Sequence, residues 1–171
     1  MARSLRLDAA PAAEAGALLR TCCGATRWVS RMLARRPFGT RERLLAAARE
    51  EWFALSPEDW REAFGHHPMI GDRDALRRRF PRTGHLSERE QAGLGAAPED
   101  VIDALARTNA AYLEKFGYIF IVCATGRSAN DMLELLRARL GNEPGKEIGI
   151  AAEEQARITA LRLAGIEEAA R

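Results

Sequence analysis

The chain has 171 residues, 47% of them hydrophobic. That suits one soluble globular domain, whereas two halves of this length would have weak cores. Lys and Arg number 26 against 24 acidic residues, a net charge of +2, which excludes a strong field for nucleic acid or a membrane surface. Nothing approaches the roughly 18 consecutive apolar residues of a membrane span. Arg3 and Arg6 are followed by no signal-type apolar stretch, because Asp8 and Glu14 interrupt it. The expected setting is the cytoplasm.

Cys22, Cys23 and Cys123 are too few and too poorly spaced for a disulfide framework or a paired CxxC zinc site. The basic residues are nearly all Arg. The runs Arg35–Arg36, Arg77–Arg79 and Arg82 read as a solvated face with acidic neighbours, or as a site for an anionic partner.

Helical periodicity dominates from Pro11 to about Met32, with Gly24 breaking the stretch in two. Arg35 to Gly39 reads as a turn. Thr40 caps a helix to about Leu55 whose Leu44, Leu45, Ala48 and Trp52 face inward. Ser56, Pro57 and Asp59 start a short helix that carries Trp60 and Phe64 and stops near Gly65. His66 to Gly71 is a loop or an irregular helix start, since Pro68 disfavours the α conformation at His67. Asp74 to Phe80 is a turn or two of helix, ended by Pro81.

Ser87 opens another helix, with Glu90 at capping-box spacing. A long helix follows Pro98, with Val101, Ile102, Leu105, Thr108 and Tyr112 in one stripe and Gly117 at its end. Tyr118 to Ala124 has strand propensity but no partner strand. It reads as buried extended chain or the start of a buried helix. Ser128 and Asp131 cap a helix to Leu140, Gly141 to Gly145 is a turn, and a last helix runs from Lys146 or Ala151 to Leu163 with Ile158 and Leu161 inward. The expected fold is all-α, a compact single-domain bundle-like array of roughly eight helices over residues 1–171. The first and last few residues are expected to be disordered.

A few polar residues suit chemistry. His67 lies in an irregular segment and titrates near neutrality, so it either moves protons or caps a turn. Ser87 and Glu90 form a complete capping box, yet a helix start also favours an anion, and Glu90 could orient an imidazole from the preceding loop. Gly126 to Ser128 is no P-loop but could present amides to a polar ring. Arg162 either points to solvent or offers its planar fork to a carboxylate or ureido oxygen. Trp28, Trp52, Trp60 and Met32 read as core. Three histidines and scattered acids give no metal-binding pattern, and no dinucleotide fingerprint is present.

In order and spacing, a series of blocks resembles the 2-oxo-4-hydroxy-4-carboxy-5-ureidoimidazoline (OHCU) decarboxylase family. The blocks are Cys22-Cys23-Gly24 with Arg27-Trp28, Arg35-Arg36-Pro37-Phe38, Asp59-Trp60 with Ala63-Phe64, and His67-Pro68-Met69-Ile70-Gly71. Ser87 with Glu90-Gln91, Asn109-Ala110-Ala111-Tyr112, Phe116-Gly117, Phe120 to Ala124, Gly126-Arg127-Ser128, Arg139 to Asn142 and Leu161-Arg162-Leu163 complete it. Arg127 stands where Lys is frequent, which keeps charge but not shape.

The resemblance implies an all-helical, cofactor-free and metal-free homodimer that converts a small anionic ureidoimidazoline to (S)-allantoin and carbon dioxide. It places the catalytic histidine at His67 with Glu90, and substrate contacts at Ser87, Arg162, Pro68, Phe120, Ile121, Val122, Ala124 and Gly126. Two rivals remain at this point. One is a lyase or hydrolase acting on a related ureido compound; the other is a non-enzymatic helical interaction module.

Overall fold

The computed structural model of the chain describes residues 4–68, 73–79 and 98–168. Among these residues there are nine helices and no strand. They are α1 (Arg6–Ala9), α2 (Ala12–Cys22), α3 (Thr26–Ala34), α4 (Arg41–Phe53), α5 (Pro57–Gly65), α6 (Arg73–Arg79), α7 (Glu99–Phe116), α8 (Ala129–Leu140) and α9 (Pro144–Glu168). The helix expected from Ser87 lies outside the described residues, as do Glu90 and Arg82. None of the described helices is long and apolar enough to cross a membrane. The described residues form two compact units.

The first unit takes the chain up to His67, residues Ile121–Cys123 and the chain from Ile148 onward. Its helix starts follow local chemistry. The Thr40 hydroxyl accepts from the Arg43 amide at 3.3 Å, and Ser56 and Asp59 form a reciprocal capping box with Pro57 preset in the first turn. Helix α3 packs against α2, α4 and α5. Leu19, Trp28, Met32, Leu44, Phe64 and Leu163 are fully buried there. Trp28 and Trp52 bury their rings, and all three Trp residues satisfy their indole N–H. Trp28 donates to the Ala48 carbonyl at 3.0 Å, Trp52 to Ala152 at 2.9 Å, and Trp60 to Trp52 at 3.0 Å. Leu45 and Trp60 are only half-buried; Ala47 takes the inward place beside Leu44.

Helix α1 was not anticipated, and it has no side-chain cap of its own. Its first two amides, at Arg6 and Leu7, donate instead to the Glu167 carboxylate at 2.7 and 3.1 Å. The expected turn at Arg35 to Gly39 is there. Asp8 accepts from the Phe38 and Gly39 amides, each at 2.8 Å, and Arg36 donates to the Asp8 and Ala10 carbonyls. Arg35 pairs with Glu50 and Glu51 at 2.8 and 3.0 Å, the acidic-neighbour reading of that run.

The second unit takes Pro68–Phe120 and Ala124–Glu147. Helix α7 packs on α8 and α6. It ends at Gly117, whose φ of 76° is a left-handed cap that glycine adopts without strain. Ser128 and Asp131 cap α8 reciprocally. Arg77 pairs with Glu99 at 2.8 Å and Asp74 at 3.0 Å.

The centre of this unit is charged. Glu147 is fully buried, Arg139 is 4% exposed, and their side chains meet at 2.6 Å. Tyr112 donates to the same Glu147 oxygen at 2.5 Å, and the Asn142 amide donates to the other at 2.8 Å. Burial first, then Glu147, pushes the Tyr112 phenol well up, so it remains a donor.

Two expectations for the last helix are corrected. It starts at Pro144, within the supposed turn, because proline fits the first helical position. Leu161, expected inward, is 53% exposed, and Ile158 is half-buried. The inward stripe is Ala151, Gln155, Thr159 and Leu163, at four-residue spacing. Two of those four are polar, so apolar periodicity pointed to the wrong face.

Candidate active site

The polar residues on that stripe lead to His67. Helix α5 ends at Gly65, and the chain leaves through His66 in the αR region, with the His67 amide donating to the Phe64 carbonyl at 3.2 Å. Gly24 makes room for this exit. A Cβ there would lie 2.3 Å from the His66 Cγ. Gly24 therefore does more than interrupt the helices; it lets the His66 ring lie against bare backbone.

His67 is half-buried, and its Nε2 meets the Gln155 Oε1 at 2.5 Å. Gln155 is fully buried, and its Nε2 donates to the Thr159 hydroxyl at 3.1 Å. Thr159 donates in turn to the Cys22 carbonyl at 3.4 Å. Arg162 reaches the same place from the next turn of α9. Its Nη1 donates to the Thr21 and Cys22 carbonyls at 3.3 and 3.4 Å. These are the last carbonyls of α2, which have no intrahelical partner and favour a cation. Arg162 thus has a local capping role, and among the described residues its Nε and Nη2 edge carries no hydrogen bond.

His67 sits below the ordinary imidazole range. Burial is the main cause; the Gln155 contact works against it, while the Arg162 and His66 charges reinforce it. At neutral pH the ring is therefore a neutral imidazole, able to accept a proton. The neighbouring thiols are inert by comparison. Burial pushes Cys22 up to about 11 and Cys23 up to about 12, and neither forms a disulfide.

The segment from Tyr118 to Ala124 is neither helix nor strand. Ile121 is buried, and Val122 and Cys123 are half-buried. The Cys123 amide donates to Glu154 of α9 at 2.7 Å, which fixes the backbone at this point. In the second unit the Phe120 ring is 5.3 Å from the Tyr112 ring, and the Arg139 guanidinium lies over it at 4.5 Å. Ala124 is half-buried. Gly126 is exposed with a φ of 74°, a turn that a side chain would strain. Pro68 follows His67 and is exposed.

The first unit thus brings His67 and Arg162 together and keeps Ile121 and Val122. Ser87 and Glu90 lie outside the described residues. Gln155 and Thr159 were not singled out by sequence; their one signal is a polar pair, four residues apart, in register with buried Ala151 and Leu163. Among the described residues no three His, Cys, Asp or Glu side chains gather to hold a metal ion.

The sequence model of the OHCU decarboxylase family matches residues 8–164. This chain belongs to that family. Among its relatives, the uric acid degradation bifunctional protein TTL of Arabidopsis thaliana is 37% identical over 148 residues, 85% of this chain and 45% of that protein. The 2-oxo-4-hydroxy-4-carboxy-5-ureidoimidazoline decarboxylase of Amia calva is 38% identical over 100 residues, 58% of this chain and 57% of that one. The chain therefore spans about half the length of these curated relatives. A crystal structure of an OHCU decarboxylase in the presence of (S)-allantoin is 34% identical, with a TM-score of 0.70 over 87% of this family member and 96% of that chain.

Proposed function

We propose that this OHCU decarboxylase family member converts 2-oxo-4-hydroxy-4-carboxy-5-ureidoimidazoline to (S)-allantoin and carbon dioxide in urate degradation. The observation that carries the reading is a half-buried imidazole, disposed to stay neutral, beside a guanidinium that has one edge uncommitted among the described residues. The relatives' names and the allantoin-associated structure support the substrate class.

In this reading Arg162 presents that edge to the substrate's carboxylate or ureido oxygen, a planar match for its fork. Loss of carbon dioxide leaves an electron pair that the substrate's own carbonyl or imine system takes up. Fixed donors stabilise that charge where it develops. His67 moves a proton between itself and the substrate hydroxyl or the enolate-like intermediate. Delivery to one ring face sets the product's handedness. Glu90 orients His67 or the ureido nitrogens, and Ser87 holds a substrate polar group. Pro68, the backbone of Phe120, Ile121, Val122 and Ala124, and Gly126 complete the contacts. The chain works as one domain, as a homodimer, in the cytoplasm, an extension that rests on the family resemblance.

The test is to generate the labile substrate freshly from urate with upstream enzymes. Carbon dioxide release and the circular dichroism of allantoin are then followed with and without this protein. Faster release and an excess of the S product are expected; equal rates with racemic product overturn the proposal. Light scattering on the eluted protein tests the dimer, and a monomeric mass would remove it.

A further inference from the structure

The line of hydrogen bonds behind His67 has a direction, and it is set at the end away from the imidazole. The Cys22 carbonyl can only accept. The Thr159 hydroxyl has one proton, which goes to that carbonyl at 3.4 Å. Its lone pairs then accept from the Gln155 Nε2 at 3.1 Å. With its NH2 committed to Thr159, Gln155 can offer only its oxygen to the imidazole, and the Nε2 of His67 must be the donor across the 2.5 Å contact. The reversed amide would take the Thr159 proton for itself. The buried Cys22 carbonyl would then keep only Arg162.

We infer that Gln155, held by Thr159, is a positioning residue that fixes His67 as the Nε2-protonated neutral ring and leaves Nδ1 as the nitrogen that exchanges a proton with substrate. This rests on the proposed decarboxylase reading for its use, although the tautomer itself does not.

The choice of an amide matters as much as its orientation. A carboxylate at position 155 would orient the ring equally well, but it would favour the imidazolium. An amide orients without adding charge. Among the described residues the charged or titratable groups acting on His67 are Arg162 of α9 and His66 of its own segment, and both oppose protonation. Glu154 of α9 is engaged by the Cys123 amide and Arg157, and Glu62 of α5 by Thr26. The Cys22 and Cys23 thiols are neutral.

The experiment is long-range proton–nitrogen NMR on protein labelled at the histidine nitrogens, with His67 assigned by its absence in His67→Asn. The wild type should show a protonated Nε2 and a bare Nδ1. A protonated Nδ1 overturns the inference. Thr159→Val and Gln155→Leu should each give a mixture of tautomers; a single unchanged tautomer in both overturns it. Gln155→Glu is nearly isosteric and guards against a folding defect. It should raise the titration midpoint of His67 by about one unit or more, and move the acid limb of kcat/KM upward with it. An unmoved midpoint in a folded Gln155→Glu protein also overturns it. The NMR needs no substrate. Protein with the expected tautomer that fails to decarboxylate freshly made substrate refutes the functional reading alone; active protein with the opposite tautomer refutes this inference alone.

Discussion

Each unit has a buried polar network, and the two are built on opposite principles. In the second, Arg139, Glu147, Tyr112 and Asn142 converge on one carboxylate, so charge is neutralised within the cluster. In the first, Cys22, Thr159, Gln155 and His67 form a line of neutral groups joined by hydrogen bonds. A closed cluster of charges holds helices in place and offers little to a ligand. A neutral line ends at a nitrogen that can still take up a proton. The difference separates a device for architecture from one suited to chemistry, although both depend on full satisfaction of buried polar atoms.

The contrast can be broken from either side. The largest effect is expected from Glu147→Leu, which strands the Arg139 charge in the second unit. Such losses cost about 3–5 kcal/mol, seen as a lower urea midpoint. The double variant Arg139→Leu with Glu147→Leu should recover much of that, because a well-packed apolar pair replaces the ions. If the double variant is as unstable as the single, the cluster's worth lies in more than charge pairing. His67→Asn should do the reverse: a loss of about 100-fold or more in kcat/KM, with a change in unfolding free energy within about 1 kcal/mol. Wild-type kcat/KM in a folded variant would remove the proton-transfer role.

Gly24→Ala should fall between these. Its Cβ collides with the His66 ring, and crowding of this kind costs about 1–3 kcal/mol. It should lower kcat through the neighbouring His67 and leave the second unit's amide exchange unchanged. A smaller effect concerns pH. Because the folded state holds His67 below its ordinary value of 6.5, the unfolded chain binds more protons over that interval. Stability is full above about 6.5 and declines as pH falls toward the lower folded value. That part of the slope should vanish in His67→Gln, and kcat/KM should stay level through 6.5 before dropping on the acid side. The smallest effect is at the surface. Arg49 and Glu153 make a two-pronged exposed contact at 2.9 and 3.0 Å, and Arg49→Ala should leave the urea midpoint close to that of the wild type, because water and salt screen such pairs.

What sequence revealed depended on how local the cause was. The starts of α4, α5 and α8 and the end of α7 were legible because Thr40, Ser56 with Asp59, Ser128 with Asp131, and Gly117 act within a turn of themselves. Helix α1 was missed because its cap is Glu167, more than 150 residues away in the chain. The inward face of α9 was misplaced because Gln155 and Thr159 are buried for their hydrogen bonds rather than for hydrophobicity. His67 stood out as a titratable group in an irregular segment. Arg162 gained weight only through the family resemblance, since a lone arginine between leucines looks like any solvated side chain. Gln155 left no mark, because an amide's role depends on a partner that only folding supplies.

The tie between Glu167 and the amides of Arg6 and Leu7 bears on how the chain is made. Translation delivers α1 about 160 residues before its anchor. Until Glu167 is made, α1 has no side-chain cap. That edge of the molecule is closed only when the Glu167 turn of α9 has been made and returns to α1.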